Sequence, residues 1–555
     1  MLARLFWSLL FIGCAAAGPQ PSRDFVVRNV RVFDGVGVIE SATVVVRDGR
    51  IARESATAGL PVIDGSGKTL LPGLIDSHTH SFGNALKEAL ESGVTTELDM
   101  FTDWRYARQI KQEQAEGKDA DLADLRSAGT LATAPKGHGT EYGINIPTIA
   151  GPAEAQAFVD ARIAEGSDYI KIIYTIPLPL PTVSKQTLAA LIAAAHTRGK
   201  MAIVHINSRQ GAMDAIEAGA DGLAHLFTDQ PPAPDFGRFV AAHHAFVVPT
   251  LTVLEGSRTY HNAEEALVQL KAAHVPILAG TDVPNVGTHG AAMHHELELL
   301  VRAGLTPLEA LQAATSTPAA VFHLNDRGVI REGARADLLL VDGDPTTNIA
   351  ATRKIAGVWK AGIALAPPTD AAPLPLASGS ISDFEDGTTK AAFGFGWLAT
   401  ADKVAGGKSE AAIKVVAGGA NGSKYALLVE GEIRPGFVFP FAGAAFYPGA
   451  KPMQPANLSA AASIRFWAKG DGKTYRVMVY TRAGGYVPGM QTFAAAPEWR
   501  EYTFPLSAFN GSDGHDITSI AFAAGPEPVK FSFELDGVGL PAVNPPAPAA
   551  AQPAR

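Results

Sequence analysis

Between residues 71 and 325, eight short apolar runs alternate with Ala- and Leu-rich stretches of helical character, and no other feature narrows the fold as far. The runs are GLIDSHTH, GVTTELDMF, LRSAGTLAT, YIKIIYT, MAIVHIN, GLAHLF, FVVPTLTV and PILAGTD. Strands that alternate with helices form parallel sheets covered on both faces, and eight such units predict an α/β (β/α)₈ barrel, a TIM barrel, over residues 71–327. On either side the rhythm changes. Residues 24–70 (FVVRNVRVFDG, ATVVVRDGRIA, KTLLPG) and 328–365 (GVIREGARADLLLVDGDP, KIAGVWKAGI) read as short antiparallel strands with tight turns. The simplest arrangement joins them in one flanking composite β-sandwich, with the barrel inserted between its halves.

At 555 residues the chain is long enough for a second core. Residues 366–380, rich in Pro, Ala and Ser, read as a linker. Residues 381–541 show only strand-like alternation (SIRFWAKG, YRVMVYTR, KFSFELDGVGL), which predicts a C-terminal all-β jelly-roll domain. The Pro- and Ala-rich end, 542–555, is expected to be a disordered tail. The net charge of −9 comes from scattered acids, and no basic stripe appears, so nucleic acid is excluded as an expected partner.

Residues 1–17, MLARLFWSLLFIGCAAA, place Arg4 before a short apolar stretch and small residues, the pattern of a signal peptide. Cleavage after Ala17 fits the A-x-A pattern. FIGC equally resembles a lipobox, which would put a lipid on Cys14, the sole cysteine. The expected destination is the periplasm, the outer membrane as a lipoprotein, or the exterior, and no disulfide can form within the mature chain. Nothing later in the sequence reads as a transmembrane helix.

Catalytic groups of such a barrel sit at the C-terminal ends of its strands. Those ends carry His78 and His80 on run 1, Lys171 on run 4, His205 on run 5, His225 on run 6 and Asp282 on run 8. His78 and His80, two apart on a strand, point to one face. Lys171 stands inside a β-branched run, where an unpaired ammonium would cost several kcal/mol. It needs a carboxylate partner or a chemical change: a desolvated amine of lowered pKa can take up CO₂ as a carbamate, whose two oxygens can bridge two cations.

In this order, LIDSHTH, YIKI, IVHI, LAHLF and AGTDVP resemble the metal-dependent amidohydrolase superfamily, as do ELELLVRAGLTPLEALQAATSTPAAVFHL and DRGVIREGARADLLLVDGDP after them. The nearest branch holds imidazolonepropionase-like and Xaa-Pro dipeptidase-like proteins. The resemblance covers residues 24–365 and implies two divalent metal ions. His78, His80 and Asp282 would hold the more buried one, His205 and His225 the more exposed one, and carboxylated Lys171 would bridge them. Zn²⁺ is the expected ion, with Mn²⁺, Co²⁺ and Fe²⁺ left open by the ligand types. The implied reaction is hydrolysis of a C–N bond (amide, dipeptide or cyclic amide) by metal-bound hydroxide, with Asp282 as general acid/base.

Candidate substrate-binding residues are His138, which can also donate to the oxyanion, Tyr142, Tyr174, Arg209, His289 and His294. For each, a structural role is the competing reading. Beyond the linker, SDFEDGT, FGFGW and WREYTFPLSAF resemble galactose-binding-like jelly rolls of the complex I intermediate-associated protein type. That resemblance implies a structural Ca²⁺ held by Glu385 and Asp536, and a glycan or cell-surface ligand stacked on Trp397, Trp467 or Trp499. Two readings compete with a binuclear hydrolase of a small amide or peptide-like substrate: a mononuclear deaminase of the same superfamily, and a non-catalytic carbohydrate-binding surface protein. A homo-oligomer is compatible with all of them.

Overall fold

The computed structural model describes residues 23–141, 145–176, 180–285, 287–365, 379–405, 407–435, 440–482, 488–509 and 512–542. The segment expected to be a signal peptide, with Cys14, and Tyr142, most of the expected linker and nearly all of the expected tail lie outside the described residues.

Seven of the eight apolar runs form regular parallel strands. Leu74–Thr79, Val94–Asp99 and Asp124–Ser127 make one sheet, and Ile170–Ile173, Ala202–His205, Gly222–Ala224 and Phe246–Val248 make another. Isolated parallel bridges join them: Ala132 to Ile172 on one side, Val247 to Ile277 and Thr79 to Val283 on the other. The eighth run, PILAGTD, therefore enters the ring without a ladder of its own. Gly280 explains how closely it approaches, since a Cβ there would lie 2.4 Å from Val248 Cγ1 and 2.9 Å from the His78 nitrogen. FVVPTLTV is shorter than its apolar pattern predicts. Pro249 ends the strand, Thr250 takes a left-handed backbone (φ 48°), and Leu251–Leu254 is helical.

Some helices of the barrel region start at side-chain caps written in their sequences. Ser184 Oγ accepts from the Thr187 nitrogen to cap Lys185–Thr197. Thr306 and Glu309 form a reciprocal capping box with Pro307 in the first turn of Pro307–Ala313. No helix among the described residues is long and apolar enough to cross a membrane.

Residues before and after the barrel share one eight-stranded sheet, in which Lys68–Pro72 pairs antiparallel with Leu338–Asp342. The sheet is mixed rather than wholly antiparallel: Phe25–Phe33 runs parallel to both Val62–Asp64 and Lys68–Pro72. It also curls. Phe25 and Trp359, on strands separated by two others, stack at 5.2 Å between ring centres, closing a core with Val27, Val44, Leu70 and Leu338. The opposite face sends Phe33, Leu71, Leu339 and Val341 into the barrel's own core.

A buried charge cluster reinforces that contact. Asp124, first residue of its strand, pairs with Arg335 at 2.7 Å, with Lys360 at 2.8 Å and with Arg327, which also donates to Thr96 Oγ1 at 3.0 Å. Burial alone would raise the Asp124 pKa, but Arg335, Lys360 and Arg327 outweigh it and hold the carboxyl well below the usual range.

The C-terminal region is a sandwich of a six-stranded and a five-stranded antiparallel sheet. Between them lie Phe446, Phe466, Phe493, Phe522, Phe533 and Trp397. Trp397 is buried and donates to Ser382 Oγ at 2.9 Å, so it serves the core and not a sugar face. Trp467 and Trp499 are half-buried, and Lys469 sits 4.9 Å above the Trp499 ring.

Asp124→Ala leaves three cations facing a missing acid and is expected to cost about 3–5 kcal/mol in chemical denaturation. A carboxylate with a depressed folded pKa contributes fully above its unfolded value. Its contribution should therefore be present above about pH 4 and fall away in more acid solution, and the variant should lack that part of the acid dependence.

Candidate metal centre

The structure brings all six strand-end residues together. Asp282 Oδ1 lies 3.2 Å from His78 Nε2 and 3.0 Å from His80 Nε2. Lys171 Nζ is 3.4 Å from His78 Nε2. The His78 ring centre stands 4.7 Å from that of His225, whose Nε2 is 3.0 Å from His205 Nδ1.

Backbone geometry aims these groups. The strands carrying His78, Lys171 and His205 end at the barrel mouth, while His225 and Asp282 take positive φ values of 74° and 61°. Left-handed backbone at a non-glycine residue costs roughly 1–3 kcal/mol, and such strain persists where the surroundings over-determine it.

Outer hydrogen bonds set which nitrogens are free. His80 Nδ1 donates to the Phe101 carbonyl at 3.0 Å, leaving Nε2 bare toward Asp282. The Thr250 hydroxyl donates to the Pro249 carbonyl, so it accepts from His225 Nδ1 at 2.7 Å and leaves Nε2 bare toward His205. Metal-binding histidines are oriented in this way. Burial disfavours the charged form of three of these imidazoles: it drives His78 and His205 well below their ordinary value and His225 down to about 3. Burial also lowers the Lys171 amine to about 7, against the pull of Asp282 and Asp99.

Whether a cation fits is decided by Asp282. Its Oδ1 is buried and close to two imidazole nitrogens, yet it forms no hydrogen bond of acceptable geometry among the described residues. A buried carboxylate oxygen is costly to leave unsatisfied. With His78 and His80 it offers one nitrogen, nitrogen and oxygen set whose donor atoms all lie within 4.8 Å of one another, a set suited to zinc.

The residues expected to read substrate are scattered. His138 approaches the centre, its ring 4.9 Å from that of His205 and its Nδ1 2.6 Å from Glu141. Tyr174 is buried and spends its hydroxyl on Asp214 at 2.9 Å. Arg209 donates to the Pro231 carbonyl at 2.8 Å. His294 is buried against the Ser92 carbonyl at 3.1 Å, away from the six. His289 is buried and pairs with Glu97 at 2.7 Å. In the second domain, Glu385 Oε1 accepts from Ser423 and from the Lys424 and Tyr425 nitrogens, while Asp536 accepts from the Ala420 and Gly537 nitrogens.

Three buried acids beside the centre escape the sequence reading. Asp76 accepts from the His78 nitrogen and from Thr281, Glu97 from Ser81 and His289, and Asp99 from Ser81 and Ser127. Burial lifts Asp76 to about 8 and Asp99 to about 6. Glu97 and Asp99 stand two apart in VTTELDM, so the alternation that singles out His78 and His80 also marks them.

Comparison with known proteins adds relatives to this geometry. A model of the amidohydrolase family matches residues 69–365, and one of complex I intermediate-associated protein 30 matches residues 383–519. Imidazolonepropionase of Deinococcus radiodurans is 27% identical over 403 residues, covering 63% of this chain and 97% of the relative. Adenine deaminase of Oleidesulfovibrio alaskensis is 25% identical over 349 residues, covering 60% of this chain and 58% of the relative. A crystal structure of a Xaa-Pro dipeptidase with methionine bound in its active site shares the fold at a TM-score of 0.56 and 22% identity, over 62% of this chain and 99% of that one.

Zinc at a hundredfold its Kd should stabilise the protein by about 2.7 kcal/mol, and Asp282→Ala should abolish the effect. Thr250→Ala, which frees the His225 ring, should weaken zinc roughly 10–100-fold in competition with a chelator.

Proposed function

The chain belongs to the amidohydrolase family, and on that premise we propose that it is an exported binuclear hydrolase that cleaves the C–N bond of a small amide, dipeptide or cyclic amide. The observation that carries the reading is the set of contacts at the barrel mouth that runs from His80 through Asp282 to His78, and from His78 both to Lys171 and through His225 to His205. His78, His80 and Asp282 would hold one ion and His205 and His225 the other, with Lys171 as a carbamate shared by both. Ions held there supply Lewis acidity to a carbonyl oxygen and make water nucleophilic at neutral pH.

The chain's own groups do the rest. Asp282 takes the proton from the attacking water and passes it to the leaving nitrogen, so that a carboxylate and an amine depart. His138, braced by Glu141, donates to the oxygen on which negative charge develops. The lowered pKa of Lys171 favours the neutral amine that reacts with CO₂. Export rests on the first seventeen residues and sets where substrate is met.

Turnover of a panel of N-acyl amino acids and dipeptides by the zinc-loaded protein, lost to chelator, tests the assignment. Silence across a broad panel at full metal loading would favour the non-catalytic reading. His138→Ala should lower kcat about 10²–10³-fold with metal content unchanged. Lys171→Ala should lose half or more of the bound metal, and the wild type should show the mass increment of CO₂ on that lysine. Unchanged occupancy would favour the mononuclear deaminase, a reaction to which the adenine deaminase relative also points.

A further inference from the structure

A cavity of about 440 Å³ opens where the barrel meets the flanking sheet, beside the starting residue of the strand Asp124–Ser127 and so at the end of the barrel away from the mouth. Arg327, Arg335 and Lys360 contribute to its wall, and their charge is spent on Asp124, Asp119, Asp326 and Asp337. Two further wall groups have no side-chain partner among the described residues. Arg126, half-buried and two residues beyond Asp124 on the same strand face, has no ion pair and no side-chain hydrogen bond among the described residues. Gln114 Nε2, at the end of the helix Trp104–Ala115, is buried without an acceptor among the described residues. Arg23 adds an exposed cation at the same cavity.

Both orphans are donors, and both come from the barrel side of one cavity whose other wall belongs to the sheet. A buried amide N–H without an acceptor calls for a ligand oxygen. A guanidinium without a counter-ion calls for an oxyanion that can take two parallel N–H bonds. We propose that this cavity binds a small oxyanion, a carboxylate or phosphate group gripped by Arg126 and Gln114 with Arg23 closing over it. Such a ligand would tie barrel and sheet together, at a place separate from the metal centre.

Full-length zinc-loaded protein is titrated with inorganic phosphate and, in a separate arm, with succinate, at fixed ionic strength, by calorimetry and thermal unfolding. At least one should bind saturably and raise the unfolding midpoint by a few degrees, and which one does so distinguishes the two sources of oxyanion. Arg126→Ala and Gln114→Leu should each weaken that binding tenfold or more, with Arg126→Lys intermediate and the circular dichroism unchanged. Saturable binding of neither anion would overturn the proposal. So would binding that both variants leave intact, or binding that disappears when zinc is stripped, because the anion would then sit at the mouth.

Discussion

The Asp282 nitrogen donates to the His78 carbonyl at 2.7 Å, flanked by bonds from Ser77 to Ala279 and from His80 to Val283. These few backbone bonds close the ring between its first strand and its eighth segment. They also fix Asp282 relative to His78 and His80, because side-chain direction follows from backbone register. The first metal-type set is thus a by-product of barrel closure. The second, His205 and His225, depends on adjacent parallel strands paired in register, His205 opposite Ala224. Between the two, Lys171 is carried on the strand next to that of His205.

Much of this was legible in the sequence because it rests on period and position. Apolar runs that alternate with helical stretches mark the barrel, and ionisable residues at the ends of those runs mark the centre. What stayed hidden depends on contacts between distant segments. PILAGTD looks like any other strand, yet it joins by isolated bridges. FVVPTLTV looks continuous, yet Pro249 and a left-handed Thr250 divide it, and the same Thr250 orients His225. Tyr174 follows Lys171 closely, but its hydroxyl belongs to Asp214 on a neighbouring helix, and sequence spacing does not show which partner a side chain finds. The parallel pairing of Phe25–Phe33 with Lys68–Pro72 was equally invisible, since alternation is the same in either direction.

The two ends of the barrel answer to different physics. At the mouth, burial lowers the pKa of His78, His205, His225 and the Lys171 amine, beside an Asp282 oxygen that forms no hydrogen bond among the described residues. At the opposite end, full charges neutralise one another around Asp124 and lock barrel to sheet. One end is arranged for chemistry and the other for cohesion.

The shared sheet also has a history in time. Lys68–Pro72 leaves the ribosome long before Leu338–Asp342, the strand it must pair with. At roughly 5–20 residues per second, the earlier strand waits on the order of 15–50 seconds with its edge bare. Throughout that interval the bare edge is a template for wrong pairing, which the nascent chain must avoid until Leu338–Asp342 arrives.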